Sequence, residues 1–400
     1  MSTPGYKFDR LELSGSLGDL GTLLPIAVGI ILINGLNPLG LFFSIGLFYI
    51  LSGAYFRVTV PVQPMKVIGA YAIAMALSPQ EILASTALMA VILLVIGVTG
   101  IINIIGKYTP QPAIRGVQLA TGSLLMSEGV SLILGDAKIQ QIREAAEPYL
   151  VVSTLGPVPI GLIIGLCGSV LALFLMDNKK LPAGLLIIIL GLLIGSFLGT
   201  HEGLGQLSPN IHLPKFMPFD FPGQVDFTFA LFALVLPQLP MTVGNAVFAY
   251  TDLSREYFGV QSKRTTHKAA CISMALANGL SFLLGGMPLC HGAGGLAAHY
   301  RFGARTAMSN IIIGSLFLVL AILLGNNILY VLFLIPMAIL GVLLLFAGLQ
   351  LALTILDIKQ KRDMFVCLLI LGITLASNLA AGFLAGIAVY YLLEKGKVSV

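Results

Sequence analysis

Thr59-Val-Pro-Val-Gln63-Pro-Met-Lys66-Val-Ile-Gly-Ala70 is an apolar stretch that carries two prolines and one lysine. Pro61 and Pro64 remove backbone donors and hold the residues before them extended, so a helix can start near Pro64 with proline at an early helical position. Residues 58–77 therefore read as a discontinuous membrane crossing, a short extended stretch leading into a half-length helix. The first N–H groups of that helix are free and face the protein centre. An ordinary helix kinked by proline, with Lys66 snorkelling to the surface, is the competing reading. A lysine at the centre of a span costs roughly 2.5–3.5 kcal/mol on insertion scales, so its position needs a reason.

Met287-Pro-Leu-Cys-His291-Gly-Ala-Gly-Gly-Leu296 repeats the pattern over residues 287–300. Gly292, Gly294 and Gly295 allow close approach to the main chain, and a helix starting there offers a second set of free N–H groups. Tight helix packing is the alternative use of these glycines. Cys290 and His291 have no further Cys or His at metal-site spacing, so neither a metal nor any cofactor is expected. Each helix N-terminus presents roughly half a positive charge, so two facing ends plus Lys66 sum to about +2. A tetrahedral dianion balances that charge. Thr22, Gln63, Gln238 and Thr242 are uncharged groups able to complete a shell around its oxygens.

The whole chain fits a membrane setting. Its 400 residues are 57% hydrophobic and only 10% charged, where a soluble chain carries roughly 25% charged residues. The net charge of +5 is spread thinly, which excludes a nucleic-acid partner and leaves the lipid bilayer as the surrounding medium. The polar start MSTPGYKFDRLELSG is not a signal peptide. Cys167, Cys271, Cys290 and Cys367 lie far apart and read as small apolar residues.

Twelve continuous runs are apolar enough to cross, near residues 18–34, 38–56, 82–105, 116–135, 157–176, 181–199, 227–249, 269–285, 306–325, 328–349, 364–379 and 380–393. With the two broken segments as crossings 3 and 10, the fold expected is an all-α polytopic membrane protein of fourteen transmembrane segments. Placing both termini in the cytoplasm then puts 18 of the 22 basic residues inside, with Lys107, Lys179, Lys180 and Lys397 among them, and only Lys138, Arg143 and Lys215 outside. The positive-inside rule yields that bias only when the span parity is right.

The resulting layout is a cytoplasmic N-terminus (1–13), spans 1–5 (14–135), an extracellular loop (136–156), spans 6–7 (157–200), a second extracellular loop (201–225), spans 8–14 (226–394) and a cytoplasmic tail (395–400). An internal repeat runs through it. Ala113-Ile114-x-Gly116-Val117 recurs as Ala338-Ile339-x-Gly341-Val342, Pro61 as Pro288, and Leu24-Pro25 as Leu236-Pro237. A repeat of seven crossings must be inverted, a seven-plus-seven arrangement whose broken helices meet near the midplane, where secondary transporters bind their cargo.

Gly18 to Thr22 (GDLGT), Gln63 to Lys66 (QPMK), Gln238 to Thr242 (QLPMT) with Asn245, Met287 to Ala297 (MPLCHGAGGLA) and Phe302 to Arg305 (FGAR) resemble the molybdate transporter family, which is related to the SulP sulfate permeases. The resemblance implies a core of spans 1–4 and 8–11 that carries the site and moves like an elevator against a gate of spans 5–7 and 12–14. It implies a multi-pass protein of the cell membrane, not an enzyme, that imports molybdate by alternating access. It places Thr22, Gln63, Pro64, Met65, Lys66, Gln238, Thr242, His291, Gly292, Ala293, Gly294 and Gly295 at the substrate. One departure from the SulP permeases is expected: ending at Val400, the chain has no cytoplasmic STAS domain.

Asp19, Glu128 and His291 are candidates for coupling to H+. Asp19 reads equally as a cation or proton site and as an acidic residue at a helix start. Glu128 reads either as a partner for a basic residue of the core or as a carboxylate near the outer surface. Sulfate transport by the same fold is the principal alternative, since both anions are tetrahedral dianions. A nucleobase permease is less favoured, because residues 227–251 and 281–300 contain no Asp or Glu to hold ring N–H groups. A homodimer is one admissible assembly.

Overall fold

A computed structural model describes residues 6–102, 110–176, 178, 182–201, 204–207 and 210–395. Lys107, Lys179, Lys180, Leu181 and Lys397 lie outside the described residues. Among the described residues, seven helical stretches are long and apolar enough to cross a membrane: Arg10–Asn34, Pro38–Phe56, Pro79–Thr99, Gln111–Ile142, Gln224–Ser262, Met308–Leu332 and Met337–Asp357. Shorter apolar helices include Lys66–Met75, Ile160–Leu175, Ala183–Leu198 and Leu379–Glu394.

Local chemistry sets many helix ends. Asn37 caps the Pro38–Phe56 helix by accepting from the Gly40 N–H at 2.9 Å, and Ser78 forms a capping box with Glu81 at the start of Pro79–Thr99. The first helix begins at Arg10, earlier than hydropathy alone suggests. Its Glu12 is buried and accepts from the backbone N–H groups of Arg305 and Thr306 at 2.9 and 2.8 Å, tying that start to the far half of the chain.

The apolar run expected to span 328–349 is divided. A short Ile328–Leu332 helix stops, and Pro336 caps a new helix, Met337–Ala352. Proline disfavours helical backbone in the residue before it and lacks the N–H to continue the ladder. Hydropathy missed the break because Leu334 and Ile335 within it are buried. The two Ala-Ile-x-Gly-Val stretches consequently occupy matching places, each just inside a helix start, at Gln111–Leu134 and Met337–Ala352.

Helices pack backbone to backbone at paired glycines. A Cβ on Gly122 would meet the Gly348 carbonyl oxygen at 2.6 Å, and one on Gly348 would meet that of Gly122 at 2.6 Å. Gly129 and Gly341 repeat the relation between the same two helices, and Gly46 and Gly314 repeat it between Pro38–Phe56 and Met308–Leu324. Small residues permit such close crossings where lipid offers no hydrophobic drive.

Glu147 fixes the Met337–Ala352 helix from the loop outside the spans. Its carboxyl oxygens accept from the Met337 and Ala338 N–H groups at 2.7 and 2.8 Å, satisfying two orphan donors of the first turn. Burial pushes the Glu147 carboxyl up to about 7, and the two backbone donors only partly oppose this. A carboxyl whose affinity for protons is higher when folded than when unfolded contributes most below its unfolded value of 4.5 and loses that contribution as pH rises toward 7. The melting temperature is therefore expected to fall between about pH 4.5 and 7, and Glu147→Gln to flatten that slope, as a thermal scan across the range would read.

Candidate functional site

Two buried two-residue strands pair antiparallel, Gln63 opposite Cys290 and Pro64 opposite Leu289. The Met65 N–H donates to the Pro288 carbonyl at 2.9 Å. Asparagines from neighbouring helices hold the second strand and the extended segment that leads into the first. Asn310 accepts from the Val60 N–H and donates to the Val60 carbonyl, both at 2.8 Å. Asn278 accepts from the Leu289 N–H at 2.8 Å and donates to its carbonyl at 2.9 Å. Sequence reasoning passed over these asparagines, although a buried amide in an apolar helix was the signal.

Helices start directly after the strands, Lys66–Met75 after the first and Ala293–Arg301 after the second. Their ends differ. Gln238 Oε1 accepts from the Val67 and Ile68 N–H groups at 3.0 and 3.2 Å, so the first end is capped by a side chain. Gln238 Nε2 in turn donates to Thr242 Oγ1 at 2.9 Å. Both lie on the Gln224–Ser262 helix, where π turns at Ala230–Val235 and Thr242–Ala249 flank Pro237 and Pro240; prolines disrupt the regular ladder, and wider turns absorb the disruption. Gln238 and Thr242 thus brace the first half-helix. At the second end the Ala293 and Gly294 N–H groups have no intrahelical acceptor.

A cleft of about 330 Å³ reaches this second end, lined by Thr22, Lys66, Gly294 and Arg301 together with Ile187, Val342, Phe346 and Gln350. Among the described residues no carboxylate lies within 4.0 Å of Lys66 Nζ. A Cβ on Gly294 would stand 3.9 Å from that nitrogen, in ordinary van der Waals contact, so the ammonium lies beside the helix start. Gln63, Lys66, Gln238 and Thr242 also border a void of about 10 Å³, about enough for one water. Arg301 and Gln350 were not among the residues expected at the site.

Asp19 and Gln63 form the buried floor beside it. Gln63 Nε2 donates to Asp19 Oδ1 at 2.6 Å, while Asp19 Oδ2 and Gln63 Oε1 are buried without a partner. Asp19 precedes the Leu20–Asn34 helix but its side chain caps none of that helix's N–H groups. Gly292 and Gly295 lie against these oxygens: a Cβ on Gly292 would meet Gln63 Oε1 at 2.1 Å, and one on Gly295 would meet Asp19 Oδ2 at 2.5 Å.

His291 and Glu128 stand apart from this cluster. The His291 ring is walled by Phe48, Phe56 and Tyr250, with Nδ1 2.8 Å from the Pro61 carbonyl and Nε2 2.9 Å from Ser273 Oγ. Both ring nitrogens are occupied, and His291 supports the crossing strands. Glu128 has Lys138 and Asp136 as its charged neighbours, toward the loop end of its helix, and borders neither the cleft nor the small void. Pro64 and Met65 are buried and contribute backbone geometry.

Comparison with known proteins bears directly on this constellation. The model of a family described as "Molybdate transporter of MFS superfamily" matches residues 11–125 and 230–351. The chain belongs to the molybdate transporter family. Molybdate transporter 2 of Arabidopsis thaliana is 30% identical to it, over 96% of this chain and 87% of that one. The matched stretches contain Asp19, Thr22, Gln63, Lys66, Gln238, Thr242 and Gly292–Gly295, all the residues gathered around the half-helix starts.

The fold of this family member is that of two solved anion-transport structures. The transmembrane domain of a cyanobacterium bicarbonate transporter, BicA, superposes with a TM-score of 0.65 at 16% identity, over 96% of this chain and 98% of that one. Murine Slc26a9, an anion transporter in the inward-facing state, gives 0.68 at 15% identity, over 99% and 70%. The molybdate transporter family member is accordingly an integral membrane protein with a transporter fold, and its relatives are transporters, not enzymes.

Proposed function

We propose that this chain imports molybdate through the cell membrane as a secondary transporter, binding the anion in the cleft between Lys66 and the start of the Ala293–Arg301 helix. The observation that carries this reading is the Lys66 ammonium at the cleft, without an ion-pair partner within 4.0 Å among the described residues, beside N–H groups that lack an intrahelical acceptor. Thr22 lines the same space. A dianion placed there gains a full charge and a helix end together. The names of the relatives favour molybdate; sulfate, with the same shape and charge, is the second reading. Molybdate uptake into proteoliposomes, with sulfate as competitor, tests the assignment: no molybdate uptake overturns it.

The transport cycle that suits this site is an elevator. Fourteen crossings in an inverted seven-plus-seven repeat, with both termini cytoplasmic, account for the antiparallel strand pair and for the reciprocal glycine contacts. Spans 1–4 and 8–11 form the moving core in this reading. The cleft then lies between core and gate, Lys66, Thr22 and Gly294 on the core and Ile187, Val342 and Phe346 on the gate. Gly21 and Gly184 bring the two units together, a Cβ on Gly184 falling 2.7 Å from the Gly21 Cα.

Coupling to H+ follows from charge. With Gln238 capping the first half-helix, Lys66, one free helix end and an ionised Asp19 sum to about +0.5, a poor match for a dianion. Protonating Asp19 raises the sum to about +1.5, so proton and anion each improve the binding of the other. The unpartnered, buried Asp19 Oδ2 is the atom suited to receive the proton. Asp19→Asn is expected to keep molybdate binding while losing acceleration by an inwardly directed proton gradient. Wild-type uptake indifferent to the gradient would reject the coupling.

A further inference from the structure

Away from the cleft, an apolar groove of about 480 Å³ runs between the Pro38–Phe56 and His267–Leu283 helices. Its walls include Leu51, Tyr55 and Leu276, which are 56%, 52% and 67% exposed. From Ala269 to Leu280 it follows about 17 Å of helix at 1.5 Å per residue. One leaflet of the hydrocarbon core is about 15 Å deep, half of the whole. The groove therefore has the depth of a single acyl layer.

Charge is concentrated at one end of it. Tyr55 and Ala269 close the groove beside Arg57, Lys263, Arg264 and Lys268, all exposed. Arg264 Nη1 donates to the Tyr55 carbonyl at 2.9 Å, and its guanidinium lies over the Tyr55 ring at 5.7 Å. That contact fixes a cation at the mouth of an apolar channel. On the adjoining Tyr250–Phe258 helix Asp252 is engaged with Arg255 at 3.7 Å, and Glu256 is a second exposed acid. By the positive-inside rule the basic end faces the cytoplasm.

We propose that this groove holds one acyl chain of an anionic phospholipid from the cytoplasmic leaflet, with the headgroup phosphate at Arg264. Juxtamembrane basic residues attract anionic lipid, and the apolar walls supply the remaining contact. The groove floor reaches His291, which adjoins the start of the second half-helix. Phe48 and Ser273 line it, and both touch His291, Phe48 with ring centroids 4.7 Å apart and Ser273 by its 2.9 Å hydrogen bond. His291 is followed by Gly292, the cap of the second half-helix. A seated lipid thus braces the segment that presents the free helix end.

Native mass spectrometry of the purified full chain, delipidated and then offered phosphatidylglycerol or phosphatidylcholine, tests the proposal without measuring transport. Its failure is thereby separate from failure of the molybdate reading. Wild type should retain phosphatidylglycerol at least tenfold better than phosphatidylcholine. Arg264→Glu with Lys268→Glu, both at exposed positions, should abolish that preference, and Leu276→Trp should lower retention of both lipids. Equal retention of the two lipids by wild type, or undiminished phosphatidylglycerol retention in the variants, overturns the proposal. So does a Leu276→Trp variant that changes from dimer to monomer with its lipid content unaltered, which would make the groove a face between two copies.

Discussion

Lys66→Met is expected to weaken molybdate binding on the order of 30- to 3,000-fold while leaving a folded protein. Removing one partner of a desolvated charge pair costs about 2–5 kcal/mol, and each 1.4 kcal/mol is a factor of ten. The fold should survive because Lys66 makes no ion pair within 4.0 Å among the described residues, and the buried Asp19 carboxyl, whose charge it helps to offset, keeps its hydrogen bond from Gln63. A flexible apolar side chain of similar length also fills the space. Lys66→Arg keeps the charge but presents a planar fork in place of a compact ammonium, and is expected to restore only part of the affinity. Titration of each purified variant with molybdate, alongside a melting curve, separates loss of binding from loss of fold.

Much of the local backbone here was legible in the sequence, because its signals are proline and glycine positions. Pro61, Pro64 and the glycines after His291 predict extended chain followed by a helix start, and the two strands and their helices are found there. Lys66 stood out because it is a lone cation in an apolar segment. The partition of roles among polar residues was less readable. Gln238 looked like a ligand for oxygen, but its own oxygen is spent on Val67 and Ile68. His291 looked like part of the site because it adjoins Gly292, yet its ring turns among Phe48, Phe56 and Tyr250. Neighbours in an extended strand point to opposite sides, and a single sequence does not say which side faces the cleft. The break at Pro336 escaped hydropathy for a related reason: burial, not exposure, surrounds it.

Gly292→Ala is expected to cut the molybdate uptake rate by at least tenfold. Gly292 has φ −67°, so an alanine meets no backbone strain there. The obstacle is steric, since the added Cβ would stand 2.1 Å from Gln63 Oε1 and 3.4 Å from Asn245 Nδ2. Gln63 cannot easily yield, because its strand pairs with Cys290 and its amide donates to Asp19. Overpacking a fixed site costs about 1–3 kcal/mol, and relief by rotating Gln63 would break the Asp19 hydrogen bond. Gly279→Ala, in a helix where an added Cβ meets nothing within 4 Å, should transport like wild type. Initial uptake rates in proteoliposomes, normalised to reconstituted protein, compare the two.

The central claim is that a tetrahedral oxyanion binds where Lys66 meets the start of the Ala293–Arg301 helix. It is tested most directly by calorimetric titration of the purified wild-type protein with molybdate, tungstate, sulfate and uracil, each repeated on Lys66→Met. Saturable binding of the oxyanions, mutual competition among them, no heat from uracil and collapse of oxyanion binding in the variant is the predicted result. Binding of uracil without the oxyanions, or molybdate affinity retained in Lys66→Met, would contradict it.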